Sequence, residues 1–311
     1  MRRVSPVGVG AFIGVAQWFD LMKRLKLSTY ESVYRFVGDA TDWVKRPVPH
    51  EIFRELLVDM TLSAVGYIDM CLPYLGFVGV TDASTSFGHG AAIAPLSVAQ
   101  VHKIAQLHAK SGDHVELAGL DAAPGPHAPE GGAHRLEVSL HNFEVVFSVQ
   151  VADQEHINLE EARALLRFVR WVLRSPRRFC HRLVVLLDSR VVIKAIGKGR
   201  SASVPLNRLL RRLAALTFAS GLALFVTYIP SEHNPGDPPP RGGPSTWPWE
   251  LHHNSRKGVL GGLRAARLVA RKAVERQSKR MRSVAAALAR LVECGMIDAL
   301  SESSEEISDV R

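Results

Sequence analysis

The sequence predicts an α/β domain set between a helical N-terminal extension and a basic helical C-terminal one. Two observations carry this. Apolar runs of strand composition at residues 75–82, 88–95, 136–151, 182–187 and 222–229 are interleaved, after the third, with stretches of helical spacing. Beyond Pro248 the composition shifts to Arg, Lys and Ala.

The 311 residues suffice for one large domain or two modest ones, and 47% hydrophobic residues allow a real core. A net charge of +9 and a pI near 9.7 suit an anionic partner such as nucleic acid without specifying one. Cys71, Cys180 and Cys294 are odd in number and far apart. They exclude a disulfide framework and a zinc-finger spacing, and they suit a reducing, intracellular compartment. Residues 1–14 have a basic start and an apolar run but no cleavage site, so no signal peptide is expected. Asp69 and Pro73 interrupt the most apolar window, residues 62–80, which reads as a helix end and a strand and not as a membrane span.

Residues 1–74 read as helical. Gly8, Gly10 and Gly14 follow no strand and lack dinucleotide spacing. From His50, the positions Ile52, Leu56, Leu57, Met60 and Val65 keep helical steps. The first strand ends at Asp82, and the second, residues 88–95, returns antiparallel. Residues 97–110 show helical periodicity through Val98, Val101, Ile104 and Leu107. Residues 122–133 are a Pro-, Gly- and Ala-rich loop. An insertion near 97–135 therefore separates the second strand from the third at residues 136–151.

Residues 157–173 form an amphipathic helix. Asn158 suits the N-cap, with Glu161 three residues on. Glu161 shares a face with Leu165, Val169 and Val172, whereas Glu160 falls on the stripe of Arg167 and Trp171. Glu161 is thus expected inside and Glu160 not. Trp171 reads as partial core. The run RLVVLL, ending at Asp188, suits a strand buried on both faces. A short helix over 189–196 closes at Gly197 and Gly199, and a longer one over 204–220 at Gly221. The last strand, 222–229, runs into the turn-rich segment holding Asp237. Residues 255–293 form a basic amphipathic helix, and the acidic end is disordered in this reading.

Four acids stand at comparable places: Asp82, Glu161, Asp188 and Asp237. A right-handed crossover makes the Asp82 and Asp188 strands parallel, and neighbours would bring their ends about 4.8 Å apart. Carboxylates that close repel, and a divalent cation removes the conflict. Oxygen ligands without His or Cys favour Mg²⁺ or Mn²⁺, and two such ions can activate water for phosphodiester cleavage. Each acid also has a plainer reading. Asp82 caps a turn through Ser84 or Thr85, and Glu161 serves the helix dipole. Asp188 caps the following helix, and Asp237 pairs with Arg241.

The segments VTDASTSFGHGAA, HINLEEARALL, VVLLDSRVVIKAIGKGRS and YIPSEHNPGDPPPRG resemble the ribonuclease H domain of retroelement reverse transcriptases, especially those of tyrosine-recombinase retrotransposons. The resemblance covers residues 76–243 with 97–135 outside it. It implies a ribonuclease H-like mixed five-stranded sheet flanked by helices, and cleavage of the RNA strand of an RNA–DNA hybrid. It puts Asp82, Glu161, Asp188 and Asp237 on the family's four metal-binding acids. Ser189 stands where many relatives have Asn, and three prolines follow Asp237. In relatives a His in the loop of His233 assists product release. Lys194, Lys198, Arg200 and Arg208 would grip phosphates, or else form a solvated face. Residues 1–74 resemble the connecting region after the polymerase, so other parts of a retroelement polyprotein are further partners. The expected division is 1–74, 75–245 and 246–311. An inactive nucleic-acid-binding remnant and a transposase- or integrase-like nuclease are the alternatives.

Overall fold

The apolar runs after residue 74 assemble into one five-stranded mixed sheet. Its strands are β1 (Tyr74–Ala83), β2 (Gly88–Pro95), β3 (Glu144–Gln150), β4 (Arg182–Leu187) and β5 (Ala223–Tyr228), in the order β3-β2-β1-β4-β5. β2 runs antiparallel to β1 and β3, while β1, β4 and β5 are parallel. The structure, a computed structural model, describes residues 3–38, 43–63, 69–85, 87–108, 112–117, 131–151 and 155–236, all within the unit Met1–Arg256. Asp237, residues 122–130 of the expected loop, the basic helix at 255–293 and the acidic end lie outside the described residues.

The helices are α1 (Pro6–Asp20), α2 (Glu31–Gly38), α3 (His50–Ser63), α4 (Val98–Ala105), α5 (Ile157–Val172), α6 (Arg190–Lys198) and α7 (Val204–Ser220). On one face of the sheet, Leu165, Phe168, Val169 and Val172 of α5 and Leu206, Leu210 and Leu213 of α7 bury Leu183, Val185 and Leu187 of β4. The alternate residues Val184 and Leu186, with Val78 and Val80 of β1, pack on Val101 and Ile104 of α4. After Arg182, β4 is apolar because both its faces are covered.

Part of the segment between β2 and β3, Val101–Leu107 with Val115, Leu117 and Val138, therefore contributes to the core. α4 starts at a Ser97–Gln100 capping box and ends sooner than the periodicity predicts. Val115 and Leu117, in a short parallel pair His114–Leu117 with Ala133–Leu136, extend the same apolar layer. The single strand expected over 136–151 is divided, because Ser139 and Asn142 cap a 3₁₀ turn at Leu140–Asn142 before β3 begins.

The N-terminal helices enclose their own small core of Ile13, Leu27, Tyr30, Val33 and Ile52. Within it, buried Lys26 is held by Asp20 at 2.6 Å, by Asp59, and by Ser63 Oγ at 2.9 Å. A buried ammonium needs such partners. This core is fastened to α6 and α7. Asn207 Nδ2 and Arg211 Nε both donate to Ser28 O, at 3.0 and 2.9 Å, and Arg24 Nη1 donates to Gly197 O at 3.0 Å. Gly199 ends α6 at φ 71°, and a Cβ there would lie 1.8 Å from Arg24 O. Only glycine meets both demands.

Candidate metal centre

β1 and β4 are adjacent and parallel, with Val78, Gly79 and Val80 opposite Val184, Val185 and Leu186. The same register extended by two residues aligns Asp82 with Asp188. Asp82 is almost fully buried, while Asp188, one residue past the end of β4, is half-buried. Capping of α6 falls to Ser189, whose Oγ accepts from Val192 N at 3.4 Å. Asp188 is thereby left for other work, and Ser231 Oγ donates to its Oδ2 at 3.0 Å. Ser84 N donates to Gly88 O at 2.8 Å and closes the hairpin beyond Asp82.

The third acid arrives from the layer above. Glu161 lies just over one turn into α5, and its Oε1 accepts from Ala83 N at 3.3 Å. One carboxylate oxygen from each of Asp82, Glu161 and Asp188 lies within 4.8 Å of the others, the only such group of metal-ligating side chains among the described residues. Glu161 Oε2 is buried and accepts no hydrogen bond among the described residues. A buried carboxylate oxygen without a donor, on a member of a cluster of acids, is the pattern left by an oxygen that awaits a cation or a proton.

The electrostatics agree. Burial, then the charges of Asp188 and Asp82, push the Glu161 carboxyl up to about 10, against the opposing pull of the Ala83 N–H. Without an ion the cluster therefore retains a proton near neutral pH. A divalent cation reverses that balance, and the three acids could hold one. The all-oxygen donor set suits Mg²⁺ or Mn²⁺.

Gly236, the last described residue before Asp237, is buried with its N–H donated to Asn234 Oδ1 at 2.9 Å. A Cβ on Gly236 would lie 3.2 Å from the Thr81 carbonyl carbon and 3.3 Å from Asp82 Cβ. The chain thus passes directly against the end of β1 one residue before the fourth acid. Lys194, Lys198, Arg200 and Arg208 are exposed, and Arg200 also lies 4.0 Å over the Tyr34 ring. His233 is buried in a 3₁₀ turn, Ser231–His233, with no hydrogen-bond partner for Nδ1 among the described residues. Trp171 is half-buried, stacked on Phe168 at 5.7 Å beneath the Arg178 guanidinium.

Two details of the α5 start differ from the sequence reading. The N-cap is His156, whose Nδ1 accepts from Asn158 N at 3.2 Å, so the helix begins one residue before Asn158. Glu160 is not on an outer stripe but is 1% exposed. It is covered because β2 places His89 against it, with His89 Nε2 2.6 Å from Glu160 Oε2. Two adjacent acids in a first turn were the available signal, but the partner is remote in sequence and is one of 13 histidines.

Comparison with protein-family models, with curated proteins and with solved structures finds no match for this chain. The candidate metal centre therefore rests on its own geometry.

Proposed function

We propose that this chain is a ribonuclease H-like domain of the retroelement reverse-transcriptase type that hydrolyses, endonucleolytically, the RNA strand of RNA–DNA hybrids. The observation that carries the proposal is the convergence of Asp82, Glu161 and Asp188 at the ends of two adjacent parallel strands and the start of a crossing helix. The sheet order, with antiparallel β1–β2–β3 and parallel β1–β4–β5, is compatible with that layout.

In this reading Asp82 and Asp188 would hold both of two Mg²⁺ or Mn²⁺ ions, with Glu161 holding one and Asp237 the other. The bound ions supply Lewis-acid charge, which activates a water and stabilises the leaving oxygen. Hydrolysis would join the water oxygen to phosphorus and break one backbone P–O bond, the proton given up by the water being balanced, through solvent, by the one taken up at the leaving oxygen. Asp188 is kept oriented by Ser231, and Glu161 by Ala83 N. Lys194, Lys198, Arg200 and Arg208 would meet phosphates, and His233 would act in the loop that leads to Asp237. Selection of a hybrid would rest on backbone shape and the 2′-OH and not on base sequence.

The test is cleavage of a labelled hybrid with Mg²⁺ by the wild-type chain and by Asp188→Asn. RNA cleavage by the wild type and its loss in the variant are expected. Equal cleavage by both would refute the proposal. Binding of the hybrid without cleavage would assign an inactive remnant. Asp188-dependent cutting of duplex DNA, with the hybrid intact, would assign a transposase- or integrase-like nuclease.

A further inference from the structure

A second buried polar cluster lies beside the acid centre and has no part in the proposed chemistry. Glu160 and Glu161 are consecutive residues of α5, 1% and 5% exposed, and they turn to different strands. Glu161 takes the N–H of Ala83 on β1. Glu160 takes Nε2 of His89 on β2, and His89 is itself 2% exposed. Ala83 and His89 are paired residues of the β1–β2 ladder. The contacts therefore close a circuit from Glu161 to Ala83, across the ladder to His89, to Glu160, and back through one peptide bond.

The rest of the network tightens the same point. Glu160 Oε1 accepts from Glu155 N at 3.2 Å, just before the helix starts, and lies 3.5 Å from Arg163 Nη1. Arg163 Nη2 reaches Glu155 at 2.6 Å. His89 Nδ1 is buried with no hydrogen-bond partner among the described residues, which suits a neutral imidazole with its proton on Nε2 and a bare lone pair on Nδ1. Burial holds the imidazole below its ordinary value, while Glu160 pulls upward. The structural consequence does not depend on that balance. Residues 100° apart on a helix are pinned to neighbouring strands, so neither rotation nor sliding of α5 can occur without breaking a buried hydrogen bond.

We propose that His89 and Glu160 are positioning residues that set the rotation of α5 and so hold Glu161 over Asp82 and Asp188 in the geometry that accepts a divalent cation. The inference rests on the metal reading of those three acids. It separates two functions within one dipeptide: Glu161 touches the ion, and Glu160 holds Glu161 in place. Loss of an outer partner of this kind weakens metal binding about 10- to 100-fold in metalloproteins.

The experiment is Mn²⁺ titration of the full chain by calorimetry, with the melting temperature of the ion-free protein measured alongside. His89→Ala is expected to weaken Mn²⁺ binding about tenfold or more. His89→Gln, whose amide nitrogen can donate in place of Nε2–H, is expected to restore most of it. A purely structural role would lower the melting temperature in proportion and leave the affinity of the folded fraction unchanged. Glu160→Ala removes the buried acid instead of orphaning it, and it carries the test if His89→Ala does not fold. Wild-type affinity in either folded variant would overturn the inference, as would equal losses in His89→Ala and His89→Gln. Failure of the underlying metal reading looks different: the wild type itself would bind no Mn²⁺, or Asp188→Asn would bind it equally well, and the positioning role would fall with it.

Discussion

Glu161→Gln should make the ion-free protein more stable at neutral pH, although it deletes a residue from the centre of the proposed site. With no ion present, burial and the charges of Asp188 and Asp82 push the Glu161 carboxyl from an ordinary 4.5 up to about 10. The folded state therefore holds a proton that the unfolded chain has released. The contribution of this group is fully present below the unfolded value and is lost as pH rises toward about 10. Each pH unit in that window removes up to about 1.4 kcal/mol, which amounts to roughly 3 kcal/mol by pH 7. Glutamine has nearly the same shape, keeps an oxygen for Ala83 N, and sets a neutral amide beside the Asp82 and Asp188 carboxylates. It does so without a titration. Urea unfolding in chelator at pH 5, 7 and 8.5 measures the difference. The two proteins should be close at pH 5, and the variant should pull ahead by an amount that grows with pH. Mn²⁺ should stabilise the wild type much more than the variant. A difference that stays flat with pH, or a variant that is the less stable at pH 8.5, would refute the electrostatic account of the cluster.

Other outcomes follow from the same geometry. Mn²⁺ binding displaces the Glu161 proton, so the apparent affinity should rise about tenfold per pH unit between pH 5.5 and 8.5, and a level calorimetric profile would contradict this. A Cβ at Gly79 would lie 2.3 Å from the Phe168 ring, so Gly79→Ala should lose about 1–3 kcal/mol in urea unfolding as α5 is forced off the sheet. The double change Lys194→Ala and Lys198→Ala should weaken hybrid binding and flatten its salt dependence by roughly two phosphate contacts, with little change in melting temperature, since both side chains are exposed.

What was legible in the sequence was local. The strand ends at Asp82 and Asp188 could be read because each is an apolar run followed by an acid. The handedness of crossovers then made the two strands parallel, as they are. Glu161 was legible from helical spacing. The reading of Glu160 failed because its burial depends on His89, 71 residues away on a strand whose register no helical pattern encodes. The helix start was displaced because a histidine ring nitrogen at position 156 caps as well as the asparagine after it. The helical spacing of Val101 and Ile104 was legible, but not that they, with Val115 and Leu117, cover a sheet face, because nothing local tells a segment of an insertion what it packs on. The Lys26–Asp20–Asp59 cluster escaped for the same reason, since charged residues near helix ends read as surface until tertiary packing encloses them.

The most direct test of the central claim is anomalous diffraction from crystals of this chain soaked in Mn²⁺. A manganese peak ligated by carboxylate oxygens of Asp82, Glu161 and Asp188 is expected, with Glu161 Oε2, which has no donor among the described residues, among them. No peak at these residues under saturating Mn²⁺, or three carboxylates turned apart from one another, would contradict it.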